Sequence, residues 1–402
     1  MIDLRAARTD PEGFRAALAR KGAAERFDAL LAADERWRVL LPRVEELRTR
    51  QKLKGKPTPE QLEELAGIKE ELREAEVELA EAEAERDELL AAVPNPPDAS
   101  APDGDRDEDA VELRRVGEPR PGGPEHTEVG EFEMERAARL SGARFGYIAG
   151  DSALVAMSLY RLALDRAAAY GHKPLIPPVL VREQAMYGTG FFPTERSNIY
   201  ALEADGLYLT GTSEVALAGF HMDEILDELP LRYSAFSTCF RRESGAAGKD
   251  TRGMFRVHQF NKVELFVFCE PGASREEHDR LLAIEEELVQ ALELPYRVVN
   301  VAAGDLGDPA AKKYDIEAWF PAQQRYREIT STSNTTDFQA RRLGIRFRAG
   351  EKRLETPHTL NGTAVTDRWL LAILENFDGE VPETLQALGA PARVGAGAAG
   401  GP

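Results

Sequence analysis

Residues 60–93 carry a heptad repeat, in which apolar positions recur three and then four residues apart. The intervening positions are mostly Glu, Lys and Arg. This pattern predicts a coiled-coil helix, which at 1.5 Å per residue would span roughly 50 Å. The predicted seam consists of Leu65, Ile68, Leu72, Ala75, Leu79, Ala82, Arg86, Leu89 and Val93.

An earlier stretch repeats the same spacing and predicts a second helix. Its apolar positions are Phe27, Leu30, Trp37, Leu41 and Val44. Between the two stretches, Gly55 and Pro57 stop a helix, and Thr58 or Pro59 can start the next one. We therefore expect two antiparallel helices joined by a tight turn, projecting as an arm. Pro42 lies inside the first helix and is expected to kink or interrupt it.

Composition divides the chain into four parts. Residues 1–93 are rich in Ala, Leu, Glu and Arg and form the predicted N-terminal helical domain with its arm. Residues 94–126 are rich in Pro, Gly and Asp, which predicts a linker. Residues 127–390 interleave helix and strand patterns and form the second predicted domain. The Gly/Ala-rich residues 391–402 are expected to be a disordered tail.

The net charge limits the ways in which this chain can bind a nucleic acid. Its 402 residues include 70 acidic and 51 basic side chains, for a formal charge of −19. A protein that coats phosphates with its whole surface is therefore excluded, and any such contact needs a local basic patch. Five basic residues and no acid lie within nine residues at the predicted turn: Arg48, Arg50, Lys52, Lys54 and Lys56. They form either a solvated helix end or a phosphate-binding patch.

Cysteines and apolar segments narrow the class further. Cys239 and Cys269 are the two cysteines, which argues against a disulfide framework and against a cysteine-based zinc site. Both lie in apolar stretches and are expected to be small buried side chains. The N-terminus lacks the apolar stretch of a signal peptide, and no segment approaches the roughly 20 apolar residues of a membrane span. We expect a cytoplasmic protein that does not enter a membrane.

Residues 237–268 contain the strongest local pattern that carries chemistry. The segments TCF and QFNKVELFVF are typical of two strands, joined by the flexible basic loop SGAAGKDTRG. Arg241, Arg252 and Arg256 bracket this loop. Arginines in such an arrangement can hold a polyanion such as a triphosphate. The residues alone leave open an ordinary hairpin with surface arginines.

This hairpin resembles motif 2 of class II aminoacyl-tRNA synthetases and, more narrowly, of bacterial seryl-tRNA synthetases. Residues 240–243 match the family pattern Phe-Arg-X-Glu. The resemblance implies that Arg241 holds the ATP α-phosphate and that Glu243 reads the adenine amino group. It also implies that Phe260 lies under the adenine and that Arg256 contacts the γ-phosphate.

Three further segments resemble the same family. Tyr208–Leu217 matches the Thr-X-Glu serine loop, which implies that Thr212 and Glu214 bind the serine ammonium group. Tyr326–Arg342 matches the segment in which Glu328 and Ser331 would bind Mg²⁺. His358–Phe377 matches motif 3, although relatives usually have one more residue before its arginine.

The resemblance implies the following site residues. The catalytic residues are Arg241 and Arg368. The serine site consists of Thr212, Ser213, Glu214, Arg241, Glu264, Asn361 and Thr363. Glu264 would accept a hydrogen bond from the serine hydroxyl, so that the site rejects alanine. The ATP site consists of Arg241, Arg242, Glu243, Arg256, Phe260, Glu328, Ile329, Thr330, Ser331 and Arg368. No zinc is implied. The arm patch would bind tRNA.

Gly171–Pro193 resembles motif 1, the dimer interface of the family. It is expected to form a helix end, a strand containing Pro177 and Pro178, and then a helix. Prolines confine a strand to an edge or a terminus, which suits a subunit boundary. A homodimer is therefore implied.

Together these features imply an α+β fold: an antiparallel coiled-coil arm, followed by a class II synthetase domain with a mostly antiparallel sheet flanked by helices. The implied reaction converts L-serine and ATP to seryl-adenylate and transfers serine to the 3′ end of tRNA(Ser). Whether tRNA(Sec) is also charged stays open. Three alternatives stay open: a paralogue serving natural-product biosynthesis or self-resistance, a ligase acting on a carrier protein, and a non-catalytic tRNA-binding paralogue.

Overall fold

In a computed structural model of the protein, residues 1–52, 58–244, 253–350 and 353–395 are described. They divide into two compact units, Met1–Pro96 and Pro97–Pro402. The predicted patch residues Lys54 and Lys56 lie outside the described residues. So do Arg252, most of its loop, and residues 396–402 of the expected tail.

The first unit is helical, as the sequence predicts. Its helices are α1 (Leu4–Thr9), α2 (Pro11–Ala19), α3 (Ala24–Gln51) and α4 (Pro59–Ala92). Helices α3 and α4 run antiparallel, because α3 residues early in the chain contact α4 residues late in the chain. Arg26 Nη1 donates to the Ala92 carbonyl at 2.8 Å, and Arg48 Nε donates to Glu76 at 3.0 Å.

The predicted seam joins these two helices. Val44 and Leu47 of α3 pack with Ile68, Leu72 and Ala75 of α4. Helix α4 begins with a capping box, in which the Gln61 backbone N–H donates to Thr58 Oγ1 at 3.3 Å. The predicted start at Thr58 or Pro59 is therefore confirmed.

The structure explains two residues of the arm that interrupt its apolar helical pattern. Helix α3 continues through Pro42, so the expected interruption does not occur. Packing against α4 outweighs the backbone hydrogen bond that proline forfeits. Arg86 occupies an apolar seam position because its guanidinium lies over the Trp37 ring, 4.1 Å from the ring centroid.

The second unit combines helices with several sheets. Its helices are α5 (His126–Val129), α6 (Met134–Ser141), α7 (Gly150–Ala169), α8 (Glu183–Thr189), α9 (Glu214–Ala218), α10 (Ser274–Ala291), α11 (Phe338–Arg342), α12 (Asp367–Phe377) and α13 (Glu383–Gln386). Its strands are β1 (Val111–Val116), β2 (Phe132–Glu133), β3 (Tyr147–Ile148), β4 (Lys173–Leu175), β5 (Leu180–Arg182), β6 (Ala201–Leu202), β7 (Leu207–Leu209), β8 (Ile225–Leu226), β9 (Leu231–Phe240), β10 (Gln259–Cys269), β11 (Tyr296–Asn300), β12 (Lys312–Phe320), β13 (Arg325–Thr336), β14 (Arg346–Arg348), β15 (Leu354–Glu355) and β16 (His358–Thr366).

The main sheet confirms the predicted antiparallel α+β fold. Among the described residues it has eight strands in the order β1-β11-β12-β13-β16-β10-β9-β4. Every pair is antiparallel except β4 with β9. Helices α7, α10 and α12 pack on the sheet, and their apolar side chains join those of β10 and β16 in one large core. Strand β10 is largely buried because this core covers one face, and Phe266 and Phe268 on the other face pack in a second apolar cluster.

Three sequence expectations need correction. The predicted linker 94–126 is not wholly a connection, because it contains β1, which pairs with β11 as an edge strand. Residues 391–395 of the expected disordered tail are ordered, and the Val394 N–H donates to the Gly379 carbonyl at 2.8 Å. Pro177 and Pro178 lie between β4 and β5 and not within a strand, because proline cannot donate to a sheet ladder.

Other expectations agree with the fold. Cys239 and Cys269 are free and buried. None of the helices in the described ranges is long and apolar enough to cross a membrane.

Candidate active site

One cavity of about 480 Å³ opens on the main sheet of the second unit. Strands β10, β13 and β16 provide its floor, and the segments before α9 and β10 contribute walls. Most of the site residues expected from the sequence line it: Thr212, Glu214, Arg241, Glu243, Arg256, Phe260, Glu264, Glu328, Ile329, Thr330, Ser331, Asn361, Thr363 and Arg368. Residues spread over more than 150 positions are therefore brought to one place.

Two expected residues do not line the cavity. Ser213 is buried, with its Oγ 2.6 Å from Ser237 Oγ. Arg242 is exposed, and its guanidinium lies 5.6 Å from the Tyr200 ring centroid. Arg241 and Arg242 both follow the end of β9 at Phe240, and of the two only Arg241 lines the cavity. The serine contact of Ser213 and the ATP contact of Arg242 stay predictions, made for residues that do not line the cavity.

An acidic side of the cavity is built around Glu214, the first residue of α9. Gln339 Nε2 and Asn361 Nδ2 both donate to Glu214 Oε1, at 2.7 and 3.0 Å. Removal from water and the nearby Glu264 raise the pKa of Glu214 to about 7. These amides hold the carboxylate in a fixed orientation, ready for a cationic group.

Glu264 of β10 lies beside Glu214 and is paired with a lysine. Its carboxylate forms an ion pair with Lys262, whose Nζ also donates to Thr212 Oγ1 at 2.6 Å. Burial raises the pKa of Glu264, although Lys262 opposes this effect. Sequence reasoning missed Lys262. Strand periodicity indicates it, since residues 260, 262 and 264 share one face of the strand.

A ladder irregularity sets the position of Thr363. Val263 pairs with Val365 and Glu264 pairs with Thr363, which leaves Ala364 without a partner in the β10–β16 ladder. This bulge in β16 places Thr363 opposite Glu264 on the cavity floor. Thr363 therefore belongs to the acidic side, even though the chain is one residue shorter before Arg368 than the resemblance leads one to expect.

Three arginines form the basic side of the cavity. Arg241 Nε donates to the Gly211 carbonyl at 3.2 Å, and its guanidinium lies 5.2 Å from the Phe260 ring centroid. Arg256 Nη1 lies 2.6 Å from a Glu243 carboxylate oxygen. Arg368 Nη1 donates to the Glu328 carbonyl at 3.0 Å. Such a cluster is suited to a polyphosphate.

The backbone of Arg368 is held by a buried network at the start of α12. Tyr160 Oη donates to Asp367, and the Asn261 N–H donates to the same carboxylate at 2.9 Å. Burial raises the pKa of Asp367 to about 6. This network fixes the first turn of α12 against β10.

Oxygen donors fit for a hard cation lie on β13. Glu328 and Ser331 line the cavity, and Asp315 of β12 pairs with Ser331 across the ladder. The buried Asp315 Oδ1 has no hydrogen-bond partner, and Lys313 Nζ lies 3.2 Å from the other carboxylate oxygen. Desolvation opposes ionisation of Glu328, but Lys313, Arg368 and Arg241 outweigh it and lower its pKa. An ionised carboxylate and a hydroxyl suit Mg²⁺.

The protein supplies few ligands of its own to such a cation. Within the described ranges, no group of three or more His, Cys, Asp or Glu side chains is arranged to hold a metal ion. A cation at Glu328 and Ser331 therefore needs oxygen ligands from a bound substrate and from water, as is usual for Mg²⁺ beside a triphosphate.

Nearly the whole chain is similar in sequence to known proteins of one family. The family profile described as "Seryl-tRNA synthetase N-terminal domain" matches residues 1–97. The profile "tRNA synthetase class II core domain (G, H, P, S and T)" matches residues 200–377. A serine–tRNA ligase from Thermobifida fusca is 50% identical, over 96% of this chain and 97% of the relative.

Solved structures show the same similarity. Seryl-tRNA synthetase from Pyrococcus horikoshii, crystallised with ATP, matches with a TM-score of 0.91 and 38% identity, over 98% of this chain and 99% of that one. Cytoplasmic serine–tRNA ligase from Naegleria fowleri, in complex with AMP, matches with a TM-score of 0.86 and 33% identity, over 96% and 95% of the two chains.

Proposed function

The chain belongs to the seryl-tRNA synthetase family, and from this premise we propose how its own residues perform the ligation of serine to tRNA. It is a class II aminoacyl-tRNA synthetase, an enzyme that consumes ATP. We propose that the 480 Å³ cavity binds serine on its acidic side and ATP on its basic side. The observation that carries this proposal is that Glu214, Arg241 and Arg368 open into the same cavity.

In the first step, the serine carboxylate attacks the α-phosphorus of ATP, and pyrophosphate leaves. Glu214 holds the serine ammonium group, which orients the carboxylate for in-line attack. Arg241 stabilises the negative charge that develops on the α-phosphate. Arg256 and Arg368 hold the β- and γ-phosphates that depart as pyrophosphate. Phe260 supports the adenine ring, and Glu243 accepts a hydrogen bond from the adenine amino group.

Selection of serine depends on its hydroxyl group. Glu264 accepts a hydrogen bond from that hydroxyl. Lys262 pairs with Glu264, opposes the effect of burial on its pKa and holds its carboxylate in position. When alanine binds, the buried carboxylate lacks this hydrogen bond. The free energy lost in this way is far larger than that of the apolar contact which the missing hydroxyl would make. Threonine keeps the hydroxyl but brings an extra methyl group, which the serine site must accommodate.

Mg²⁺ would be held by Glu328 and Ser331 together with phosphate oxygens. When bound, the ion neutralises charge on the phosphates and fixes their orientation. Thr330 lies between Glu328 and Ser331 in the sequence. Its hydroxyl donates a hydrogen bond to the Thr363 carbonyl and so joins β13 to the serine side of the cavity.

In the second step, the 3′-terminal adenosine of tRNA(Ser) takes the seryl group. We propose that the arm binds this tRNA through the basic patch Arg48, Arg50, Lys52, Lys54 and Lys56. Arg50 and Lys52 are exposed, whereas Arg48 is paired with Glu76. The product, seryl-tRNA, is used in translation, and we propose that the enzyme acts in the cytoplasm. tRNA(Sec) is a second acceptor to test.

A homodimer would form through the segment that resembles motif 1. Strand β4 lies at the edge of the main sheet, and Ile176 directly after it is 90% exposed. Leu154 and Met157 on α7 are also exposed large apolar side chains. Apolar side chains beside a sheet edge are typical of a subunit interface.

The function is tested by ATP–pyrophosphate exchange in two neighbouring variants. Arg241→Ala removes the cation at the α-phosphate and should reduce serine-dependent exchange at least 100-fold, the usual cost of losing such a group. Arg242→Ala removes an equal charge outside the cavity and should leave exchange within about twofold, in keeping with an exposed side chain. Equal losses in both variants, or full activity in a folded Arg241→Ala protein, would refute the assignment.

A further inference from the structure

Phe255, which the sequence did not single out, lines the cavity and contacts two guanidinium groups. The Arg327 Cζ is 3.6 Å from its ring centroid, and the Arg368 Cζ is 4.7 Å away. A cation within about 6 Å of an aromatic face is attracted by the negative potential of that face. One phenyl ring therefore contacts two arginines, and one of these is expected to bind ATP.

The ring is held firmly by the core beneath it. Phe255 is only 6% exposed, and its neighbours Met254 and Val257 are buried as well. Phe320 meets the ring in a T-shaped contact, with centroids 5.4 Å apart. The Met254 N–H donates to His126 Nε2 at 3.2 Å and ties the backbone just before the ring. A ring anchored in this way can fix the position of the guanidinium groups beside it.

Arg368 needs such a partner because its surroundings are mostly positive. Burial is the largest effect that lowers the pKa of Arg368; Arg241, Arg256 and Arg327 add to it, and Glu328 opposes them. The Glu328 carboxylate is 3.7 Å away, which is long for a strong charged hydrogen bond. If Glu328 also binds Mg²⁺, less of its charge is available to Arg368. The face of the phenyl ring attracts Arg368 without competing for the metal.

We propose that Phe255 is a positioning residue, which holds Arg368 by cation–π stacking in the orientation that binds the ATP phosphates. This inference rests on the proposed role of Arg368. A side chain that merely fills space could be aliphatic at this position. A cation–π contact, in contrast, depends on the electron density of the ring.

The test replaces Phe255 by phenylalanines that carry one, two or three fluorine atoms on the ring. Fluorine withdraws electrons from the ring face while changing side-chain size little, so packing is preserved. We expect the dissociation constant of MgATP, measured without serine, to rise with each fluorine and to reach roughly two- to tenfold with three. The dissociation constant of serine should stay unchanged. The same series at Phe320 is the matched control, since no cation–ring contact of Phe320 occurs within the described ranges.

The outcomes separate this inference from the proposed function. If Arg368→Ala binds MgATP weakly but fluorination of Phe255 leaves MgATP affinity unchanged, the role of Phe255 alone is overturned. Unchanged MgATP affinity in folded Arg368→Ala would overturn the proposed role of Arg368, and with it this inference. An equal trend at Phe255 and Phe320 would assign the effect to core packing and would also overturn it. The stacking is supported if MgATP affinity falls with each fluorine at Phe255 but not at Phe320, and if Phe255→Leu also binds MgATP more weakly.

Discussion

Replacing Glu214 by Gln should change folding stability and serine binding in opposite directions. The pKa of Glu214 is raised from 4.5 to about 7 by removal from water and by the neighbouring Glu264. The folded protein therefore holds this proton to higher pH than the unfolded chain does. The stability that the neutral carboxyl provides is complete below pH 4.5 and is lost as the pH rises to 7.

The size of the effect follows from that interval. The interval spans about 2.5 pH units, and each unit is worth about 1.36 kcal/mol, which gives an upper figure of about 3.4 kcal/mol. Water in the cavity screens part of the charge, so we expect about 2 kcal/mol. Glu214→Gln keeps the size of the side chain and an oxygen that can accept from Gln339, but it never ionises. Above pH 7 the variant should be more stable than the parent by this amount, and below pH 5 the two should be equal.

Serine affinity supplies the second half of this prediction. The serine ammonium group needs an ionised carboxylate, so its dissociation constant in the parent should rise toward tenfold per pH unit below pH 7. Glu214→Gln should weaken serine binding at least 30-fold, because breaking a charged hydrogen-bonded pair costs about 2–5 kcal/mol. A variant with higher stability and lower affinity is typical of a site that keeps a costly charge for binding.

Urea unfolding and serine binding between pH 5 and pH 8 are the assays. Glu203→Gln is the matched control, because Glu203 is exposed and should show neither effect. If Glu214→Gln and its parent keep the same stability difference at pH 5 and pH 8, the carboxyl does not ionise against a desolvation penalty and the reasoning fails.

Three other predictions concern the remaining parts of the account. Lys262→Met removes the counter-charge of Glu264. In pyrophosphate exchange, KM for serine should therefore rise at least tenfold while KM for ATP stays unchanged, and equal rises in both would contradict this. Arg50→Glu combined with Lys52→Glu should weaken tRNA binding and reduce its salt dependence, while pyrophosphate exchange stays normal. Arg38→Glu, about three helical turns away on α3, should do less. Ile176→Asp places a charge on the exposed apolar segment and should shift the protein from dimer to monomer in sedimentation velocity; an unchanged dimer would exclude this surface.

The sequence predicted elements best where a local pattern is enough. The heptad spacing predicted α3, α4 and the Thr58 start because seam burial follows directly from helical periodicity. The paired strands β9 and β10 were predicted because apolar and aromatic residues flank a segment rich in Gly and other small residues. Strand β1 was missed, since VELRRV is short and exposed and its partner β11 lies about 180 residues later.

The site residues divide in the same way. Those carried by motifs, such as Glu264 and Arg368, do line the cavity. Gln339 was missed because its role depends on α11 packing beside α9, which no local pattern records. Phe255 was missed because an aromatic residue before an arginine looks like an ordinary core position. Arg242 does not line the cavity, because its guanidinium lies near the Tyr200 ring.

Serine-dependent ATP–pyrophosphate exchange by the unsubstituted protein tests the central claim most directly. With MgATP present, exchange should be rapid with serine and at background with alanine and glycine, because those two lack the hydroxyl that Glu264 recognises. Threonine should support at most slow exchange. Equal exchange with serine and alanine would contradict the role of Glu264. No exchange with any of the four, in a folded protein that binds tRNA(Ser), would contradict the assignment of the cavity as an adenylation site.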